Sequence, residues 1–195
     1  MSRIIAGRAK GRRLDAPKGA TTRPTTDRTK EALFSGLASW FDTAAEAAED
    51  QLEGLSVLDL FAGSGALGLE AASRGAVRVS CVDPHTAAII RDNARRAGLS
   101  AITAVPRRAD QVVASSTDSF DLVFMDPPYD LPGARVDELL VALIEHQVLA
   151  AGALVVVERS SRSEAPTWPP QYTSVWDRRY GETTLHFGAT EMERP

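Results

Sequence analysis

Asp126, Pro127, Pro128 and Tyr129 close an apolar run, FDLVFM. An acid followed by two prolines makes a stiff corner, because each ring fixes φ and neither nitrogen carries a hydrogen. The Asp126 carboxylate and the Pro127 carbonyl are therefore two acceptors set in advance, with no adjacent amide hydrogen to occupy them. Such a pair suits an exocyclic amine on a conjugated base. That nitrogen is a poor nucleophile until acceptors hold its hydrogens and it becomes more pyramidal, and acceptors fixed beforehand act most strongly. Tyr129 offers a flat face for a base to stack on, worth roughly 1–3 kcal/mol. The carboxylate can also take the proton once the nitrogen turns cationic. Taken alone, the same four residues make a rigid turn with an exposed tyrosine, and Asp130 reads as a turn residue.

A second constellation is VLDLFAGSGALG, with Gly63, Gly65 and Gly68. It matches G-x-G-x-x-G after a strand and opening a helix, and Asp83 ends the next strand where a ribose-hydroxyl acceptor would stand. On those residues a dinucleotide enzyme is a live reading, and so is a tight turn without a ligand. Asp59 shifts the balance. It gives D-x-F-x-G-x-G, and an acid there repels a pyrophosphate but serves a cationic ligand through its ammonium group, such as a sulfonium cofactor without phosphate. Asp110, after the third strand, can reach an adenine amino group or cap the helix that follows.

These sites need a frame. SVLDLF, VRVSCVD, AITAVP, FDLVFMD and ALVVVERS read as strands, with helical segments such as ALGLEAASRG, TAAIIRDNARRAGL and RVDELLVALIEHQVL between them. That alternation predicts right-handed crossovers and a mostly parallel, doubly wound sheet covered on both faces. QYTSVWDRRYGETTLHFG breaks the rhythm and predicts two strands around a turn near Gly181, an antiparallel pair at the sheet edge. Upstream, a helix starts near Thr25 or Thr26 after Pro24, with Leu33, Leu37, Trp40 and Phe41 on one face. The Ala/Glu-rich residues 42–54 read as a helical or partly ordered linker. RIIAG and RRLDAP flank a turn and predict a hairpin, giving a basic arm over residues 1–24 and a main domain over 25–195.

Charge is uneven. The chain carries −4 overall, yet residues 1–30 hold nine Lys/Arg against two acids, a net +7 that leaves −11 for the rest. An arm facing a polyanion beside an acidic body is one reading, and a solvated N-terminus the other. The single cysteine, Cys81, excludes an internal disulfide and reads as a core residue. His85, His146 and His186 lack metal-ligand spacing, so no metal is expected. No apolar window is long enough to span a bilayer, and the N-terminus has no apolar signal core. The expected location is the cytoplasm.

LDLFAGSG, Asp83, RRAD and DPPY in this order resemble the class I S-adenosylmethionine-dependent methyltransferases. With RIIAGRAKGRRL, RPTTDRTKEALFSGL and RRYGETTLHF, the resemblance narrows to the RsmD-type enzymes and covers almost the whole chain. It implies a seven-stranded, mostly parallel α/β sheet with an antiparallel edge strand and an N-terminal hairpin extension. It implies S-adenosylmethionine as cofactor, held by Asp59, Phe61, Ala62, Gly63, Gly65, Asp83 and Asp110. The substrate it implies is N2 of one guanine in 16S rRNA, guanine 966, on the assembling 30S subunit, with the enzyme a monomer. Many relatives carry Glu at the Asp83 position, and either acid can hold a ribose diol. Arg3, Arg8, Lys10, Arg12, Arg13, Arg23 and Arg28 are the expected RNA contacts, setting register on phosphates. Arg23, Thr25, Thr26 and Arg28 could equally fold over the cofactor, or the threonines could cap the helix. The Asp-Pro-Pro-Tyr corner by itself also serves adenine N6 or a protein glutamine. The basic arm argues against a protein substrate. A non-catalytic assembly factor and an NAD-dependent enzyme are the readings from other classes.

Overall fold

Val57, Leu58, Val123, Phe124, Val155 and Val156 are all buried, so consecutive residues of one strand pack on opposite faces. Only a sheet covered on both sides accommodates such runs. The computed structural model describes residues 2–17 and 26–191. Its main sheet is built from β3 (Ser56–Asp59), β4 (Arg78–Val82), β5 (Ile102–Val105), β6 (Phe120–Met125), β7 (Leu149–Ser160), β8 (Tyr172–Tyr180) and β9 (Thr183–Thr190). The order is β5-β4-β3-β6-β7-β9-β8. The first five run parallel, and β9 pairs antiparallel with both β7 and β8. The reversed strand is thus β9, inserted one place in from the edge that β8 occupies. The chain reverses between β3 and β4 on one side and β6 on the other, which opens a crevice at the carboxyl ends of these strands.

Among the described residues five helices cover the sheet: α1 (Asp27–Trp40), α2 (Ala66–Ser73), α3 (Ala87–Ala97), α4 (Ala109–Ser115) and α5 (Gly133–Glu145). Leu33, Phe34 and Leu37 of α1, with Leu67 and Ala71 of α2 and Ile90 of α3, pack on Val57, Val79, Phe124 and Val156. Val113 of α4 and Val136, Leu140 and Leu143 of α5 pack on Leu58, Val123, Met125 and Val157. Thr26 caps α1, its hydroxyl accepting the Thr29 amide at 3.2 Å. Phe34 and Ala38 join Leu33 and Leu37 on the buried stripe, whereas Trp40 lies at the rim and stacks on Trp176 with ring centroids 4.9 Å apart. Pro24 and Thr25 lie outside the described residues.

Residues 42–54 are a chain of turns, so of the two readings their Ala/Glu content offered the helical one does not hold. A helix needs an apolar stripe to dock, and this segment supplies only Leu52, buried, while Thr43 Oγ1 donates to the Gln51 carbonyl at 2.7 Å.

The N-terminal segment pairs more briefly than predicted. β1 (Ser2–Arg3) and β2 (Arg13–Leu14) are two residues each. Its attachment comes from elsewhere. Ile4, Ala9 and Leu14 pack on Leu69 and Ala94. Glu70, fully buried in α2, accepts the Ile5 amide at 2.8 Å, the Ala6 amide at 3.0 Å and Arg74 Nε at 3.0 Å. Lys30 Nζ, also fully buried, lies 3.9 Å from Glu70 and donates to the Arg3 carbonyl. Burial pushes the Lys30 pKa down and the Glu70 carboxylate opposes that. Gly7, at φ +75°, must be glycine, because a Cβ there would meet the Ser73 carbonyl oxygen at 1.9 Å.

Removing the Glu70 carboxylate strands two buried cations and two amides. Glu70→Ala is expected to lower stability by about 3–5 kcal/mol, read from urea unfolding. A loss below ~1 kcal/mol would contradict the central role of this group.

Candidate active site

The glycine loop bridges two strands of the sheet. Leu60 N donates to the Phe124 carbonyl at 3.0 Å, and Ala62 N to the Val82 carbonyl at 3.0 Å. The chain then turns through Gly63 (φ +53°) and Gly65 (φ +83°), the latter capping α2. Positive φ at both positions favours glycine. Gly68 is small for another reason: a Cβ there would meet Cys81 Sγ at 2.4 Å, so the helix lies close on β4. Cys81 is buried in the core as expected, and burial together with Asp59 pushes its thiol pKa up.

Asp59 ends β3, and one of its oxygens, Oδ2, accepts the Gly68 amide at 3.0 Å. The other, Oδ1, is buried with no partner among the described residues. Burial pushes the carboxyl up to about 7; the Gly68 amide opposes the rise and Asp83 adds to it. Asp83 sits just past β4. Its Oδ2 accepts the Gly63 amide at 3.2 Å, and its Oδ1 accepts the amides of His85 and Thr86 at 2.8 and 3.0 Å. Asp83 thereby ties the glycine loop to the start of α3. Phe61 is half-buried and Ala62 buried beside it.

Across the crevice, Asp126 follows β6 immediately. It is half-buried, Pro127 is buried, Pro128 is exposed, and Tyr129 is 80% exposed. The Leu131 amide closes the turn on the Pro128 carbonyl at 2.9 Å. Among the described residues no donor bonds the Pro127 carbonyl. Burial holds the Asp126 carboxyl well above the usual carboxylate range, Glu158 and Asp59 push it the same way, and Arg159 opposes them. Asp59 lies opposite Phe124 in the β3–β6 register, two residues from Asp126.

The structure thus brings Asp59, Phe61, Ala62, Gly63, Gly65 and Asp83 to one rim with Asp126, Pro127, Pro128 and Tyr129. Asp110 stands apart in the first turn of α4. Arg108 is the residue that caps α4, in place of the Asp110 cap expected from sequence. The Asp110 carboxylate is gripped by Arg108 at 3.1 and 2.8 Å, with Arg135 3.7 Å away. Slight burial is outweighed by Arg108, and the Asp110 pKa falls.

The basic residues divide. Arg3 pairs with Asp27 at 2.8 Å and Arg8 with Asp50 at 3.7 Å. Lys10, Arg12 and Arg13 are exposed and form no ion pair among the described residues, and Arg28 is exposed on α1. Arg23 and Lys18 lie outside the described residues. The hairpin borders the glycine loop through Asn93 of α3, whose Nδ2 donates to the carbonyls of Ser64 at 2.9 Å and Asp15 at 3.0 Å.

Glu158 and Arg159, at the far end of β7, are missing from the set read in the sequence. Arg159 Nη2 donates to the Leu131 carbonyl at 3.1 Å and braces the loop after Tyr129. The signal was available: VVVER, like LDL and FMD, is an apolar run that ends on an acid.

The sheet order, the single reversed strand and the glycine loop at the switch point define a class I methyltransferase fold. The family model described as "Conserved hypothetical protein 95" matches residues 2–189. Ribosomal RNA small subunit methyltransferase D of Escherichia coli K12 is 35% identical over 195 residues, 98% of this chain and 91% of its own length. YlbH of Bacillus subtilis strain 168 is 35% identical over 187 residues, 93% and 95% of the two chains. The solved structure of Escherichia coli yhhF superposes with a TM-score of 0.81 at 29% identity, covering 98% and 99%. The chain belongs to the ribosomal RNA small subunit methyltransferase D (RsmD) family.

A carboxyl at about 7 against 3.8 unfolded means that the native state holds its proton longer. Stability from this group is fully present below about pH 4 and is lost as pH rises toward 7. Asp59→Asn keeps an acceptor for Gly68 and cannot ionise. Urea unfolding at pH 5 and pH 8 is expected to show a smaller loss in the variant than in the unaltered protein. Equal losses would contradict the assignment.

Proposed function

We propose that the protein methylates the exocyclic N2 of a guanine in 16S rRNA, using S-adenosylmethionine. The observation that carries this reading is the pairing of two sites at one rim: the glycine loop with Asp59, and the Asp126–Pro127 acceptor pair with Tyr129 open beside it. The family's relatives named for small-subunit rRNA methylation point the same way.

The residues present fit the cofactor. Asp59 Oδ1 is a buried, unpartnered acceptor suited to an ammonium group, and a cation there would lower the cost of its burial. Phe61, Ala62, Gly63 and Gly65 would form the loop around it, with Asp83 toward the ribose and Asp110 toward the adenine once Arg108 yields. When bound, S-adenosylmethionine supplies an electrophilic methyl group, so that the new N–C bond forms as the C–S bond breaks and S-adenosylhomocysteine leaves. The chain itself orients and deprotonates. Pro127 accepts one N2 hydrogen and Asp126 the other, Tyr129 stacks on the flipped base, and Asp126 takes the proton that the cationic nitrogen loses. A carboxyl whose pKa is raised is a better base for that last step than an ordinary one.

The hairpin serves as an RNA-facing edge of the same body. Lys10, Arg12 and Arg13 reach phosphates, Arg3, Arg8 and Arg28 extend the patch, and Arg23, outside the described residues, is a further proposed RNA contact. The assembling 30S subunit in the cytoplasm, carrying guanine 966, is the substrate this reading favours, met by a monomer. Among the described residues no helix is long and apolar enough to cross a membrane.

Asp126→Ala is expected to cut tritiated methyl transfer to 30S particles by about 100- to 1,000-fold, with S-adenosylhomocysteine affinity by calorimetry nearly unchanged. Normal transfer would refute the mechanism. Replacing Lys10, Arg12 and Arg13 together with alanine is expected to weaken RNA binding. It should also make log affinity against log salt shallower by about 0.7–0.9 per lost phosphate contact. An unchanged slope would leave the hairpin a bystander.

A further inference from the structure

Three strands that lie side by side, β3, β6 and β7, carry an acid where their apolar runs stop: Asp59 ends β3, Asp126 follows β6 and Glu158 lies two residues before the end of β7. Phe124 lies opposite Val156, and Met125 opposite Val157, in the parallel β6–β7 register. Phe124 and Val156 face α1, while Met125 and Val157 face α5. Side chains alternate along a strand, and register partners share a face. The next residues, Asp126 and Glu158, therefore return together to the α1 face, on strands about 4.8 Å apart. Leu185 of β9, opposite Glu158 on its other side, is buried and apolar. Both acids are half-buried at the rim of the crevice. Arg159 belongs to the opposite face, where its guanidinium holds the Leu131 carbonyl. The mechanism above uses Asp126 and leaves Glu158 without a task.

The Watson–Crick edge of guanine presents two neighbouring donors, N1–H and the N2 amine. Adenine presents an amine beside N1, which is a lone pair. Two carboxylates side by side match the first edge and repel the second. We propose that Glu158 selects the base: with Asp126 on the N2 amine, the Glu158 carboxylate accepts the guanine N1 hydrogen. This inference rests on the guanine-N2 reading and adds the residue that makes the corner prefer guanine over other amines on the same tetrapeptide. Burial does most to raise the Asp126 pKa, and the further push from Glu158 agrees with two acids at close quarters. A guanine edge relieves that repulsion by giving each acid its own hydrogen. A site built to accept a hydrogen discriminates strongly against an analogue that lacks it, because the carboxylate then faces a lone pair in place of a hydrogen.

The test replaces the target guanine in reconstituted 30S particles with 2,6-diaminopurine. That base keeps the N2 nucleophile but carries a lone pair at N1. Methyl transfer is measured for the unaltered protein and for Glu158→Gln, whose amide can donate to a lone pair or accept a hydrogen. The unaltered protein is expected to prefer guanine by at least about 100-fold in kcat/KM. In the variant the preference should shrink at least about tenfold, with the diaminopurine rate held or raised. Equal rates on the two bases by the unaltered protein, a comparison that needs no variant, would overturn the role of Glu158 and leave the methyltransferase reading intact. So would a Glu158→Gln protein that keeps the full preference. No N2-methylated product from either base would overturn that reading and this inference with it.

Discussion

Carboxylates at the ends of adjacent parallel strands are the constraint around which this molecule is arranged. Each acid closes an apolar run, so each is drawn partly or wholly out of water by the strand that carries it. Asp59 keeps one oxygen for the Gly68 amide and leaves the other buried and unpartnered. Burial, with Glu158 and Asp59 adding to it, pushes the Asp126 pKa up. A protein that needed only a turn at these places would gain stability from serine or asparagine. In the proposed reaction both acids gain partners, a cation at Asp59 and the hydrogens of an amine at Asp126.

The rest of the fold keeps those acids in place. Gly68 lets α2 lie against β4, and that contact brings its amide to Asp59. Leu60 and Ala62 tie the loop to β6 and β4 at once, so the two halves of the crevice cannot shift independently. The hairpin is held by the same helix. Glu70, two residues beyond Gly68, collects two hairpin amides and two buried cations. A basic edge is therefore mounted on α2, the helix that the glycine loop opens.

Much of this was legible in the sequence because periodicity and punctuation carry it. Strands buried on both faces read as continuous apolar runs, and glycines at positive φ mark the loop. The closing β8–β9 pair showed as two strands about Gly181, although its order in the sheet, with β9 inside β8, did not follow from local pattern. Residues 42–54 misled because alanine and glutamate favour a helix locally, while docking depends on apolar spacing that only Leu52 supplies. Glu70, Lys30 and Asn93 were invisible for a related reason. Each looks like an ordinary surface residue of its helix, and only the hairpin laid over them turns them into buried partners. Asp110 could be read as a cap because acids favour helix starts, but the cap position falls two residues earlier, at Arg108, whose guanidinium also takes the Asp110 carboxylate. Glu158 escaped because its meaning comes from the strand next door.

The most direct test is a crystal structure of the protein with S-adenosylmethionine bound. The account predicts the ammonium group against Asp59 Oδ1 and the sulfonium methyl pointing across the crevice at the space between Asp126 and Tyr129. A methyl directed away from that space, or other side chains filling it, would contradict the account.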